Sequence, residues 1–247
     1  EQVPVRYFSH SGKEEVALHV DMIHRFLQNT SEKPVPVINW RDDLRRSLTI
    51  VDIVTRDRNS LFEKLTGAFS IAGLNILGAR AVTRKDGLAI DVFYVEDKGG
   101  GTVEDPETRE HCESSIRSFL ADETSPDQLI REQRKKTSRT QLFSNEDKLG
   151  EKIASQVDVY RDVSLNRTIV EVRAPDQVGL LHLISKTISS CGFSIQFARI
   201  ATEQGIATDI FNIEPLKSKE PIDPARFLQL REQLSSALYE GKFYHEV

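Results

Sequence analysis

The residues best suited to chemistry in this chain are Pro175-Asp176-Gln177-Val178-Gly179-Leu180-Leu181, which read as a strand end, a turn and a helix start. A glycine just before a helix lets the backbone approach a small ligand, and the first helical turn offers free N–H groups to a carboxylate. Asp176 can cap the helix or receive an ammonium group. Carboxylate and ammonium are the two ends of an amino acid, so Asp176, Gln177, Val178, Gly179, Leu180 and Leu181 form a candidate effector loop. The plainer reading is an ordinary helix cap. Other chemistry is sparse. The histidines (His10, His19, His24, His111, His182 and His245) are scattered through different elements. His19-x-Asp21-x-x-His24 has metal-binding residue types, but helical spacing sets Asp21 away from both histidines, so a surface helix is expected and no metal site. Cys-x-x-Cys, Gly-x-Ser-x-Gly and Walker patterns are absent. No catalytic residue and no cofactor are expected of this chain.

The loop occurs twice. Thr49–Glu96 lies over Thr168–Glu214, and one spacing carries Asp57 onto Asp176 and Gly73 onto Gly192. A duplicated unit is one supersecondary structure used twice. The earlier loop reads Asp57-Arg58-Asn59-Ser60-Leu61, with Ser60 in place of Gly179 and Asn59 in place of Val178. A serine Cβ restricts the backbone and narrows the approach. The second loop is therefore expected to be the better site, and the first a weaker or structural one. Arg80 and Arg199 are matched across the copies; an edge or interface salt bridge is favoured over a carboxylate clamp. The matched Asp91 and Asp209 are expected to face solvent or cap the neighbouring module, and His182 to pack.

Each copy must position its loop with strands and helices. In the first, Val51, Ile53 and Thr55 alternate with Asp52 and Val54 as a partly buried strand, and Leu61, Leu65, Phe69 and Ala72 share a helix face. Lys85-Asp86-Gly87 joins two strands as a hairpin. Asp105-Pro106 and Asp223-Pro224 open second helices, a carboxylate cap followed by proline. The order βαββαβ packs helices on one face of an antiparallel sheet, giving an α+β fold of two ferredoxin-like modules. Residues 1–44 read as a helical leader: Ser11-Gly12-Lys13-Glu14 fits a capping box, with Val16, Val20, Ile23 and Leu27 as its apolar face and Ser31–Pro36 ending the helix. The first module spans 45–122 and is completed by a strand near 157–161. Residues 123–156 form a charged, solvated linker containing Arg131-Glu132-Gln133-Arg134-Lys135-Lys136. The second module spans 164–247 and ends in a strand, Lys242–Val247.

Composition limits the function classes. The chain has 247 residues, 38% of them hydrophobic, and a net charge of −5, which leaves no electrostatic footprint for nucleic acid or an anionic membrane. RNA-recognition motifs share the topology but stack bases on aromatics of the third strand; Gly87–Tyr94 lacks that alternation. Cys112 and Cys191 sit at apolar helical positions as buried free thiols, which fits a reducing cytoplasm. No apolar run reaches membrane-spanning length. Opening at Glu1 rather than Met, the chain reads as a fragment.

The D-x-x-G-L-L loop, the apolar helix behind it, the strand after Gly192 and the Ala198-Arg199-Ile200-Ala201-Thr202 stretch resemble the ACT domain family. The resemblance implies regulatory modules that bind amino acids at interfaces between paired copies, within or between chains. The leader Tyr7-Phe8 with Glu14-Glu15-Val16-Ala17-Leu18-His19, the tandem pair and the charged spacer narrow it further. Together they are similar to the C-terminal part of the bifunctional uridylyltransferase/uridylyl-removing enzymes that modify the PII signal protein. That resemblance implies glutamine as the favoured effector, with upstream catalytic domains and PII as partners. The family's nucleotidyltransferase and phosphohydrolase motifs are absent, so no enzyme activity is expected of the chain itself. The alternative is a stand-alone ACT assembly module that senses nothing.

Overall fold

The computed structural model describes residues 3, 7–8, 11–29, 35–141, 154–164, 167–216 and 223–243. Helix α1 (Lys13–Gln28) leads into β1 (Val37–Asp43), β2 (Leu48–Arg56), α2 (Leu61–Ile71), β3 (Asn75–Thr83), β4 (Leu88–Glu96) and α3 (Pro106–Leu120). Helix α4 (Pro126–Gln141) follows. The second module then runs β5 (Gln156–Asp162), β6 (Arg167–Pro175), α5 (Leu180–Ser190), β7 (Phe193–Glu203), β8 (Ile206–Pro215) and α6 (Pro224–Phe243).

All eight strands form one antiparallel sheet in the order β1-β2-β4-β3-β7-β8-β6-β5. The modules join edge to edge within the chain, through β3 and β7. Ala79 faces Ala198 at the centre of that pairing, and these two residues are matched in the duplication, so a local two-fold axis passes between them. Helices α2, α3, α5 and α6 share one core with the sheet, filled by Phe69, Phe93, Ile116, Ile184, Phe211 and Leu234. This is the expected α+β architecture of two ferredoxin-like modules. The expected carboxylate caps also form: Asp105 accepts from the N–H groups of Glu107 and Thr108, both at 3.1 Å, and Asp223 from that of Ala225 at 2.9 Å.

The edge strands depart from the sequence reading. The strand near 157–161 does not complete the first module. As β5 it pairs with β6, Asp162 opposite Arg167, in a short hairpin of the second module. The first module takes its edge from β1, inside the segment assigned to the leader, with Asp43 opposite Leu48. Closing a loop of a few residues costs far less chain entropy than carrying a strand back across the sheet, so each edge comes from the residues just before its own module. The modules are thus built ββαββα, and their bounds shift from 45–122 and 164–247 to include β1 and β5. The expected final strand is also corrected: Lys242 and Phe243 are still helical, and 244–247 lie outside the described residues, as do 31–34 of the helix-ending segment.

Helix α1 covers the other face of the first module's sheet. Met22, Ile23 and Phe26 pack on Val54, Leu88 and Ile90. Its buried stripe is rotated from the expected one, since Val20 and Leu27 are exposed and His19 is buried instead. No capping box forms; the N-cap is Gly12, and the Ser11 hydroxyl donates to Glu15 at 3.0 Å. The charged linker is also not simply solvated. Ile130 of α4 is only 4% exposed and packs beside Gly179 of the second loop, while Pro126 packs beside Gly67 of α2.

Candidate functional site

The two candidate loops have the same backbone. In the first, the Asp57 N–H donates to Gly87 O at 2.9 Å and that of Leu61 to Arg58 O at 3.3 Å. In the second, Asp176 donates to Gly205 O at 2.9 Å and Leu180 to Gln177 O at 3.0 Å. Each ends in a left-handed residue that starts the helix, Ser60 at φ 65° and Gly179 at φ 75°. Serine accepts this conformation at a cost glycine does not bear. Asp57, Arg58 and Asn59 are exposed, Ser60 is half-buried and Leu61 buried. Asp176 is also exposed, Gln177 and Val178 are half-buried, and Gly179, Leu180 and Leu181 are buried.

Beneath each loop lies a carboxyl the sequence reading sent to the surface. Asp91 and Asp209 are 3% and 1% exposed on the helix-covered face. Oδ2 of Asp91 and Oδ1 of Asp209 are buried without a hydrogen-bond partner among the described residues. Burial, and then the nearby Asp57, pushes Asp91 up to about 8; burial and Asp176 push Asp209 up to about 7. Asp176 keeps an exposed edge, yet the partial burial of its carboxyl raises it as well. Each loop therefore pairs an outer carboxylate with an inner carboxyl that readily stays neutral, and a cation entering the loop would favour its ionised form. The placement was missed because Asp91 and Asp209 alternate correctly for an inward position, and polarity alone had suggested the outside.

The loops differ in what covers them. Over the second, Ile130 fills the space beside Gly179, and Arg134 Nε donates to Val178 O at 2.6 Å. Asp127 at the start of α4 accepts from His182 Nε2 at 3.1 Å and Lys186 Nζ at 2.5 Å, while His182 Nδ1 donates to Glu63 O at 2.8 Å. Both ring nitrogens lie within hydrogen-bond distance of an oxygen. The bonds from His182 and Lys186 hold Asp127 well below the usual carboxylate range. His182 thus links α5, α2 and α4, more than the packing role expected of it. A polar groove of about 480 Å³ lies beside it, lined by Glu63, Lys64, Asp122 and Asp127 among others. A cavity of about 250 Å³, lined by Arg80, Arg167, Phe197 and Asn212 among others, includes no residue of either loop.

A further constellation lies on the α1 face. The Tyr7 hydroxyl bonds to His19 Nδ1 at 2.7 Å, His19 Nε2 to Asp52 at 3.0 Å, and Arg41 to Asp52 through Nε at 2.8 Å and Nη2 at 2.9 Å. Burial pushes the Tyr7 hydroxyl up to about 12, so it is no nucleophile. Burial works to raise Asp52, but the bonds from His19 and Arg41 hold it below the usual range. The chain of contacts anchors α1 to the sheet. His19 is therefore a buried anchor and not a surface residue. Arg80 adds to the anchor through Glu15 at 2.5 Å, a salt bridge to α1 within the first module and not one between the modules.

Comparison with known proteins follows the same lines. Over 84% of its length the chain is 30% identical to the bifunctional uridylyltransferase/uridylyl-removing enzyme of Azospirillum brasilense. It is 29% identical over 96% of its length to that of Phenylobacterium zucineum, and 27% over 95% to that of Acinetobacter baumannii. The chain is homologous to a part of these enzymes. It spans 21%, 24% and 25% of the three relatives, about a fifth to a quarter of their length. No protein-family model matches it. A solved protein of unknown function from Galdieria sulphuraria aligns with 78% of the chain and 92% of its own at 12% identity, with a TM-score of 0.23, too low to carry an argument. Among the described residues no helix is long and apolar enough to cross a membrane, and no group of three or more His, Cys, Asp or Glu side chains is placed to hold a metal ion.

Proposed function

We propose that this chain is the regulatory region of a uridylyltransferase/uridylyl-removing enzyme, a tandem ACT unit that senses an amino acid, with glutamine the favoured effector. The observation that carries this reading is the duplicated loop. Each copy sets a left-handed residue and a free helix N-terminus beside a loop carboxylate and a buried carboxyl. In this arrangement the effector carboxylate meets the N–H groups at the start of α2 or α5. Its ammonium lies against Asp57 and Asp91, or Asp176 and Asp209. Catalysis is assigned to the remainder of the enzyme, and PII to the catalytic domains as substrate.

Regulation requires that the effector bind two arrangements of the region with different affinity. The continuous sheet and the shared α2–α5 contact, where Thr66 and its matched Ser185 bond at 3.1 Å, couple the two loops. A thermal-shift titration against the twenty amino acids, followed by calorimetry, tests the reading, because a ligand of the folded state raises its stability by mass action. A saturable shift with glutamine alone supports it. A shift with another amino acid keeps the sensor and changes the effector. No shift with any leaves assembly of the enzyme as the function of the pair.

A further inference from the structure

Helix α4 carries the most charged run of the spacer, yet its described contacts converge on the second loop and the two helices beside it. Pro126 sits where a side chain on Gly67 would go, and Asp127 joins His182 and Lys186. One helical turn on, Ile130 is buried with Cγ2 only 2.5 Å from the position of a Cβ on Gly179. A further turn on, Arg134 binds the Val178 carbonyl. Positions 126, 130 and 134 recur every four residues, so one face of α4 makes all of these contacts. The intervening Arg131 and Glu132 are exposed. Among the described residues the first loop carries no such cover; Arg58 and Lys64 pair with Asp122, just beyond α3.

We propose that α4 is an intrachain lid on the second loop, and that it must leave before a small ligand can seat against Gly179. The inference rests on the reading of these loops as amino-acid sites. The space left by the missing Gly179 side chain is the space a ligand would use to reach the backbone, and Ile130 fills it. The Val178 carbonyl is likewise engaged by Arg134. Ligand and lid therefore compete. The attachment is small and partly exposed: it includes Pro126 against Gly67, Ile130 against Gly179, the Arg134 bond to the Val178 carbonyl, and the bonds of Asp127 to His182 and Lys186, with the Asp127 and Lys186 side chains 34% and 43% exposed. The duplication thus yields two unequal sites, an open one at Asp57–Leu61 and a gated one at Asp176–Leu181. Apparent affinity at the gated site is reduced by the fraction of molecules in which α4 is undocked, and a variant that undocks α4 removes that reduction.

The experiment compares the full chain with Ile130→Asp and, as a milder variant that leaves the packing in place, Arg134→Ala. Calorimetry with L-glutamine measures affinity, and hydrogen exchange across residues 126–134 is followed with and without glutamine. The expected result is glutamine affinity at one of two sites raised by about tenfold in Ile130→Asp and less in Arg134→Ala. Exchange in 126–134 should also quicken when glutamine is added to the unchanged chain. Weaker binding in the variants, with exchange slowed by glutamine, would make α4 a wall of the site and overturn the lid. Unchanged affinity and exchange would overturn the lid while leaving glutamine sensing intact. Failure of glutamine to bind any of the three proteins would remove glutamine as the effector, and with it the lid as a gate for glutamine.

Discussion

Ile130 occupies the space where Gly179 lacks a side chain, its Cγ2 lying 2.5 Å from where a Cβ would stand. Gly179→Ala therefore meets two penalties, a left-handed backbone at φ 75° and a collision with a buried side chain. The expected loss is about 2–4 kcal/mol, measured by chemical denaturation. The matched Ser60 has the same backbone without that collision, so Ser60→Gly should stabilise by about 1 kcal/mol. Equal effects at the two positions would show that α4 does not bear on the second loop.

The buried carboxyls should make stability fall as pH rises. An unfolded aspartate releases its proton near pH 4, whereas Asp91 holds its proton up to about 8 and Asp209 up to about 7. Between those values the folded state binds more protons than the unfolded one, so raising the pH disfavours folding until both groups are ionised. Asp91→Asn and Asp209→Asn should remove this slope. Each is expected to be nearly neutral at pH 4 and to stabilise by about 1–3 kcal/mol at pH 8, read from denaturation midpoints. A pH-independent difference would show that the two groups stay ionised.

Asp52 has the opposite sign. Its folded value is depressed by His19 and Arg41, so its contribution is present above the unfolded value near 4 and is lost as the pH falls through the folded one. Asp52→Ala leaves the buried His19 and the Arg41 guanidinium without their acceptor and should cost about 3–5 kcal/mol at neutral pH. Limited proteolysis provides the local readout: cleavage within α1 should become faster in the variant than in the unchanged chain.

Asp127 is likewise depressed, by His182 and then Lys186, and its hold on α4 is lost as the pH falls through its low folded value. Asp127→Asn should keep the side chain's shape and weaken the bonds to His182 and Lys186. Because those contacts are partly exposed, the global cost should be about 0.5–1 kcal/mol, with hydrogen exchange quickened selectively across 126–134. An effect spread evenly over the sheet would place the role of Asp127 elsewhere.

Much of the fold was legible because its signals are local. The duplication, the hairpin at Gly87, the capping of α3 by Asp105 and the position of both loops each depend on a few neighbouring residues. The need for a further strand in the first module pointed to Val157–Arg161, and the segment is a strand, but its partner lies in the second module, because pairing is chosen by loop entropy and the free edge available. His19 was misplaced for a related reason. A histidine on a helix looks solvated until Asp52, a residue of a distant strand, is brought beneath it.

The sequence by itself determined that one module is used twice, and which residues form the two loops, since repetition and turn chemistry are written along the chain. Only the tertiary structure decided that β1 and β5 close the modules, that Asp91 and Asp209 lie buried beneath the loops, and that α4 covers one loop and leaves the other open. Those outcomes follow from surfaces meeting across long stretches of chain. The exposed charges of α4 concealed the buried Ile130 on its inner face, because burial belongs to a face and not to a segment's average polarity.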